Sequence, residues 1–261
     1  MTRRTFALSL AGGAVTLRAS DKLAQGREVI DKTIEALGGD RFRNLRSRTE
    51  TGRASSFYHD RLSGFSVARF YTKYLPADGP EKIHQVQKQV FGKKQDDAVL
   101  FTASEGYEVT FRGAKPLLQD RVDQFREGTL HEIFYILNRR INEPGMQFKS
   151  HGVDVVENQR VEVIEIYDSE NRNVTAWLNA NTFLPVKTRY YHWDETIKER
   201  REDVTHYTKY REVNGLMWPH ETARDRDTDK LFQLFADKVT INDSLADSFF
   251  ELPNGVTFLK P

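Results

Sequence analysis

Seven histidines carry the most versatile chemistry in this sequence: His59, His84, His131, His151, His192, His206 and His220. A zinc-protease helix needs a second histidine four residues after a His-Glu pair begins. His131 is followed by Glu132, but position 135 is Tyr135. His192 with Glu195, or His206 with His220 and Glu221, could act as metal ligands across adjacent strands. Nothing in their spacing selects them over surface or hydrogen-bonded roles, so no metal site is expected. Asp225, Asp227 and Asp229 alternate as in a calcium loop, without its glycine and distal glutamate. Gly64-Phe65-Ser66 is not the elbow that presents a nucleophilic serine. Gly12-Gly13 and Gly38-Gly39 do not lead from a strand into a helix as a phosphate loop does. Acidic pairs such as Asp96-Asp97 fall in turn-like contexts. Cysteine is absent, which excludes disulfides, thiolate metal sites, iron–sulfur clusters, cysteine nucleophiles and lipid attachment at an N-terminal cysteine. No catalytic residue and no cofactor are expected.

The aromatic residues say more. The chain has 17 Phe, 10 Tyr and 3 Trp, too many for a solvating tail. Most belong to a core, since such side chains dominate cores. A subset on strands or their ends could line a cavity for an apolar ligand: Phe65, Tyr71, Phe111, Trp177, Phe183 and Trp218. Each buried methylene contributes about 0.8 kcal/mol, so an acyl chain can be held without any polar motif.

The elements that must position these residues follow from hydrophobic period. Leu23, Ile30, Ile34 and Leu37 recur at helical spacing over residues 21–37, and Gly38-Gly39 stops the helix. The period then changes to two. Residues 46–58, 64–75, 81–91, 98–102 and 106–112 read as strands, the last two as a hairpin around Ser104-Glu105-Gly106. A second helical pattern covers 118–140, with Gly128 as its expected break. After Gly145 nearly everything is strand, joined by turns such as Asn179-Ala180-Asn181 and Asn214-Gly215. The mixed charges of Lys198–Asp203 read as a solvated strand face, and Arg224–Lys230 as a loop. No repeat or flexible linker divides the 261 residues. The expected class is α+β, mainly β: a strongly curved antiparallel sheet of about ten strands, an incomplete barrel, over two or three helices. An apolar crevice between sheet and helices is a common kind of ligand site.

The N-terminus has the layout of an export signal. Arg3 and Arg4 precede a weakly apolar stretch from Phe6 to Leu17, and Ala19 ends a small-residue cleavage region. Thr2-Arg3-Arg4-Thr5-Phe6 resembles the twin-arginine type, with a Sec signal as the alternative. The expected division is 1–19 as signal and 20–261 as one domain. Removing the signal takes Arg3, Arg4 and Arg18 with it and turns the formal charge of +1 slightly negative. A nucleic-acid partner is therefore not expected. No apolar run reaches the roughly 18 residues of a membrane span.

Several segments, in order, resemble one family. They are Glu35-Ala-Leu-Gly-Gly39 leading into Arg43-Asn-Leu-Arg-Ser-Arg-Thr-Glu-Thr-Gly52, the hairpin from Phe101 to Gly113, the strand–turn–strand from Asn173 to Lys187, and the closing segments Tyr210–His220 and Ile241–Pro253. Together they resemble the outer-membrane lipoprotein-sorting superfamily, the LolA/LolB-like carriers and their RseB-like relatives. The likeness covers nearly the whole chain after the signal. It implies an incomplete antiparallel barrel with helices on its concave side and a cavity for acyl chains. It carries no catalytic residue.

The expectation is an exported periplasmic protein, soluble or peripheral, that carries or binds a lipid, a lipidated protein or another apolar ligand without covalent chemistry. Peripheral membrane contact is compatible with this, and the oligomeric state is left open. Two alternatives stand beside it. One is a periplasmic sensor or scaffold of the same fold that acts through a protein partner. The other is a hydrolase on the same scaffold, which would need convergent carboxylates or histidines in a wet cleft.

Overall fold

Side chains that alternate in polarity have one stable solution here, a long sheet with one face turned to helices. The computed structural model describes residues 19–76, 83–95, 97–194 and 197–259. The expected export signal, with Arg3 and Arg4, lies outside the described residues, as do Glu195 and Asp96.

Helix α1 (Ala19–Leu37) and the short α2 (Asp40–Arg43) lead into β1 (Ser47–Tyr58). Five strands follow: β2 (Arg61–Tyr74), β3 (Gln85–Phe91), β4 (Asp97–Phe101), β5 (Gly106–Thr110) and β6 (Gly113–Pro116). Helix α3 (Gln119–Leu130) and α4 (Ile133–Tyr135), which continues as a π turn over Ile136–Arg140, interrupt the strands. Then come β7 (Gln147–Val156), β8 (Gln159–Tyr167), β9 (Asn173–Asn179), β10 (Pro185–Asp194), β11 (Glu199–Val213), β12 (Leu216–Arg226) and β13 (Asp229–Ile241). A 3₁₀ turn at Asp247–Phe250 precedes the C-terminal segment.

Among the described residues 13 strands form one antiparallel sheet in the order β6-β5-β4-β3-β2-β1-β13-β12-β11-β10-β9-β8-β7. The chain thus winds outward from β1 in one direction, and after α3 and α4 returns from the far edge to pair β13 with β1. Among the described residues the edges β6 and β7 do not pair, so the barrel is open. This is the incomplete barrel expected from the pattern, with more strands than the ten anticipated. β6 carries no strand signal in sequence, because its four residues, from Gly113 to Pro116, show no alternation.

The long helical pattern breaks at His131–Glu132 rather than at Gly128. Glu132 is extended, and its carboxylate accepts the Tyr135 N–H at 2.9 Å, so it caps α4. Gly128 stays inside α3.

Close approaches fix the layers. A Cβ on Gly26 of α1 would stand 2.2 Å from the Phe148 carbonyl oxygen, so glycine lets α1 rest directly on β7. On β1, the register slips between Thr51 and Gly52, and a Cβ on Gly52 would stand 1.9 Å from the Phe235 carbonyl oxygen. A bulge of this kind bends and twists the strand that carries it. The main core lies between the concave face and the helices, with Ile30, Ile34, Leu37, Phe42, Leu45, Ile133, Phe134, Leu137 and Trp218 almost fully buried. On the convex face the C-terminal segment packs Phe249 and Phe250 over β2–β5, with Tyr71 edge-on to Phe249 at 4.8 Å. It also protects the β6 edge, where the Ala114 N–H donates to the Thr257 carbonyl at 2.9 Å.

Candidate functional site

The concave face is not filled by its helices. A crevice of about 400 Å³ remains between the sheet and α3/α4. Its walls come from β1–β4 on one side and β10–β13 on the other, so strands distant in the sheet order face one space, and the sheet must be strongly curved. Phe70, Phe101, Phe125, Phe134, Trp218, Phe232 and Leu234 supply apolar wall. Phe101 on β4 stacks on Phe125 of α3, centroids 3.9 Å apart. Phe134 of α4 lies 4.6 Å from Trp218 and 5.2 Å from Tyr207.

The floor is charged. Arg48 and Glu50 point inward from β1, two residues apart and so on the same face. Arg48 Nε donates to Glu50 at 3.2 Å, and its guanidinium also bonds the Tyr74 hydroxyl. Trp218 Nε1 donates to the other Glu50 oxygen at 3.1 Å. Desolvation pushes the Arg48 pKa down, but Tyr74, Glu50 and Glu132 outweigh it and the guanidinium stays firmly charged. Burial raises the Glu132 carboxyl above its usual range, while Arg48, the Tyr135 N–H and Arg224 pull it back in part.

Nearer the hairpin ends, Arg226 holds Asp203 through two hydrogen bonds of 2.7 and 3.1 Å. His192 Nδ1 lies 3.2 Å from the same carboxylate. The Tyr190 hydroxyl also bonds Asp203, and burial followed by that negative charge keeps the phenol protonated. The ring of His131 stacks on Tyr190 at 4.1 Å, and Nδ1 donates to the Glu127 carbonyl at 2.8 Å. Burial lowers the His131 pKa, so a neutral imidazole lines the wall.

The six aromatic candidates are not brought together. Trp218 lies in the crevice wall. Phe65 and Phe111 are 65% and 81% exposed. Tyr71 lies under Phe249 on the convex face. Trp177 also faces outward, packed with Val161 and Val186 beneath the side chains of Lys187 and Arg189. Phe183 borders a shallow, open groove along α1, below Lys32. The residues that do line the crevice with Trp218 include charges whose sequence context points to solvent. Asp203 belongs to a mixed run, and Arg224 and Arg226, read as a loop, are the last inward positions of β12. Their alternation with Thr222 was the available signal.

The histidine pairings are equally clear. His206 lies on the convex side, 3.0 Å from Asp225, whereas His220 is buried on the concave side, its Nδ1 3.2 Å from the Trp218 carbonyl. They cannot share an ion. Among the described residues no three His, Asp or Glu side chains form a group suited to a metal. No helix among them is long and apolar enough to cross a membrane.

No family model matches the chain. No curated protein matches it either. Solved structures do. A chain described as a "putative outer membrane lipoprotein-sorting protein domain" from Vibrio parahaemolyticus superposes with a TM-score of 0.57, at 13% identity, over 88% of this chain and 97% of the other. A DUF1329 family protein from Desulfovibrio piger gives 0.56 at 11% identity, over 87% and 97%. Both span nearly the whole of each chain, so the likeness is one of complete architecture. The chain therefore has the fold of these lipoprotein-sorting and DUF1329 structures, the open curved sheet over helices that its sequence resembles.

Proposed function

We propose that this chain is an exported periplasmic binding or carrier protein that holds an acyl-bearing ligand, a lipid or a lipidated protein, without covalent chemistry. Residues 1–19 act as the export signal and 20–261 as the carrier domain. The observation that supports this most is the crevice itself. About 400 Å³ lies within the range of roughly 300–1,000 Å³ typical of small-molecule sites. Its aromatic wall suits a hydrocarbon chain, and its charged floor suits a polar end. Phe70, Phe101, Phe125 and Phe232 make the apolar contacts in this reading, backed by the buried Phe134 and Trp218. The shared fold with a lipoprotein-sorting domain points the same way. The test is native mass spectrometry of the protein purified from periplasm, followed by lipid extraction. A co-purified acyl species lost in a folded Phe232→Glu variant is expected. A clean apo mass, with no uptake of added lipid, would remove the proposal.

A hydrolase on the same scaffold draws on one feature, the Glu132 carboxyl, which lines the crevice and whose pKa burial raises, as suits a general acid. Turnover of a long-chain p-nitrophenyl ester that disappears in Glu132→Gln would favour it over a carrier.

A further inference from the structure

Resting on that reading of the crevice, we infer that the ligand bears an anionic head group, a carboxylate or a phosphate, and that Arg224 receives it.

Most charges around the crevice are matched within the protein. Arg48 pairs with Glu50 at 3.2 Å, Arg226 with Asp203 at 2.7 Å and Arg121 with Glu108 at 3.1 Å. Asp225 turns to the convex face and meets His206. Arg224 differs. It lines the crevice and is exposed, yet among the described residues it forms no ion pair. Glu132 acts on it only through space, and that carboxyl is already capping α4 and attracted to Arg48.

The surroundings of Arg224 are those of an amphiphile's junction. In register it faces Thr205 on β11 and Phe232 on β13. Phe232 is edge-on to Phe70 at 6.0 Å, and Phe70 to Phe91 at 5.9 Å. An aromatic wall therefore begins one strand from an unmatched guanidinium, with the Thr205 and Thr222 hydroxyls beside it. A hydrocarbon chain laid on that wall strips water from Arg224. A neutral head would leave the cation desolvated and unpaired, which is unfavourable. A carboxylate or phosphate restores the lost hydrogen bonds, because the planar fork of guanidinium donors fits either group in a bidentate fashion.

The experiment uses the delipidated protein and displacement of a fluorescent fatty acid by four probes of equal chain length. They are palmitate, 1-palmitoyl lysophosphatidate, hexadecanol and hexadecyltrimethylammonium. At least one anionic probe is expected to bind about tenfold or more tightly than hexadecanol, and the better of the two identifies the head group. Arg224→Gln removes that preference by weakening the anionic probes, and it holds hexadecanol at least as tightly as the parent because no cation is left to desolvate, while Arg224→Lys keeps part of the preference. Arg224 is exposed, so both variants are expected to melt with the parent. If hexadecanol matches the anions and Arg224→Gln changes nothing, the head-group assignment falls and the binding reading survives. If none of the four binds, both fall.

Discussion

Trp218 on β12 reaches past β13 and donates its indole N–H to Glu50 on β1 at 3.1 Å. Strands two places apart in a flat sheet are separated by roughly 10 Å, so this contact needs a curved sheet and long side chains. Arg48 completes the arrangement, bonded to Glu50 and lying over the Trp218 ring at 4.9 Å. The three residues brace the concave face where the floor of the crevice meets its wall.

Replacing Trp218 with Phe keeps most of the ring and removes the N–H. Glu50 then retains Arg48 but has one buried oxygen unsatisfied. The expected loss is about 2 kcal/mol in urea denaturation. Unchanged stability would show that the indole contributes only packing.

Glu132 sets a pH dependence. Burial raises its pKa, against the pull of Arg48 and of the Tyr135 N–H. The stability it contributes is full below the unfolded value near 4.5 and falls as pH rises through the higher folded value. Glu132→Gln retains an acceptor for the Tyr135 N–H and cannot ionise. Between pH 4.5 and neutrality the parent should therefore lose stability relative to the variant, read as melting temperatures at several pH values. Parallel curves would place Glu132 in an ordinary, well-solvated setting.

Asp168 gives the opposite sign. Burial would raise its carboxyl, but hydrogen bonds from Arg140 and Arg172, both 2.7 Å, and from the Arg172 N–H bring it down to about 2. Its contribution is present above the unfolded value of 3.8 and is lost as pH falls toward 2. Asp168→Asn should cost roughly 2 kcal/mol at neutral pH and remove that part of the acid transition. Identical acid unfolding would contradict the assignment.

The period-two pattern revealed most of the sheet, because each strand has one face against the core. Leu23, Ile30, Ile34 and Leu37 likewise marked α1. What alternation leaves open is which face becomes concave. Trp177 and Trp218 both lie on strands, yet one faces outward under Lys187 and Arg189 while the other lines the crevice. The choice depends on where α3 and α4 settle, which is a long-range property. Charge misled for a related reason. Asp203, Arg224 and Arg226 look solvated in sequence, and become lining only when strands from both halves of the sheet curl around one space. The helix break at Glu132 was legible only as a side-chain cap, a signal weaker than Gly128 nearby.

The central claim, that ligand sits under the concave face beside α3, has a direct test in a palmitoyl probe carrying a diazirine on its chain. After irradiation, tryptic mass spectrometry should place the label on crevice residues such as Gln89, Phe101, Phe125 and Phe232. Labelling instead at Tyr71, Trp177 or Phe111, or in the α1 groove beside Phe183, would contradict the account and move the site outside the crevice.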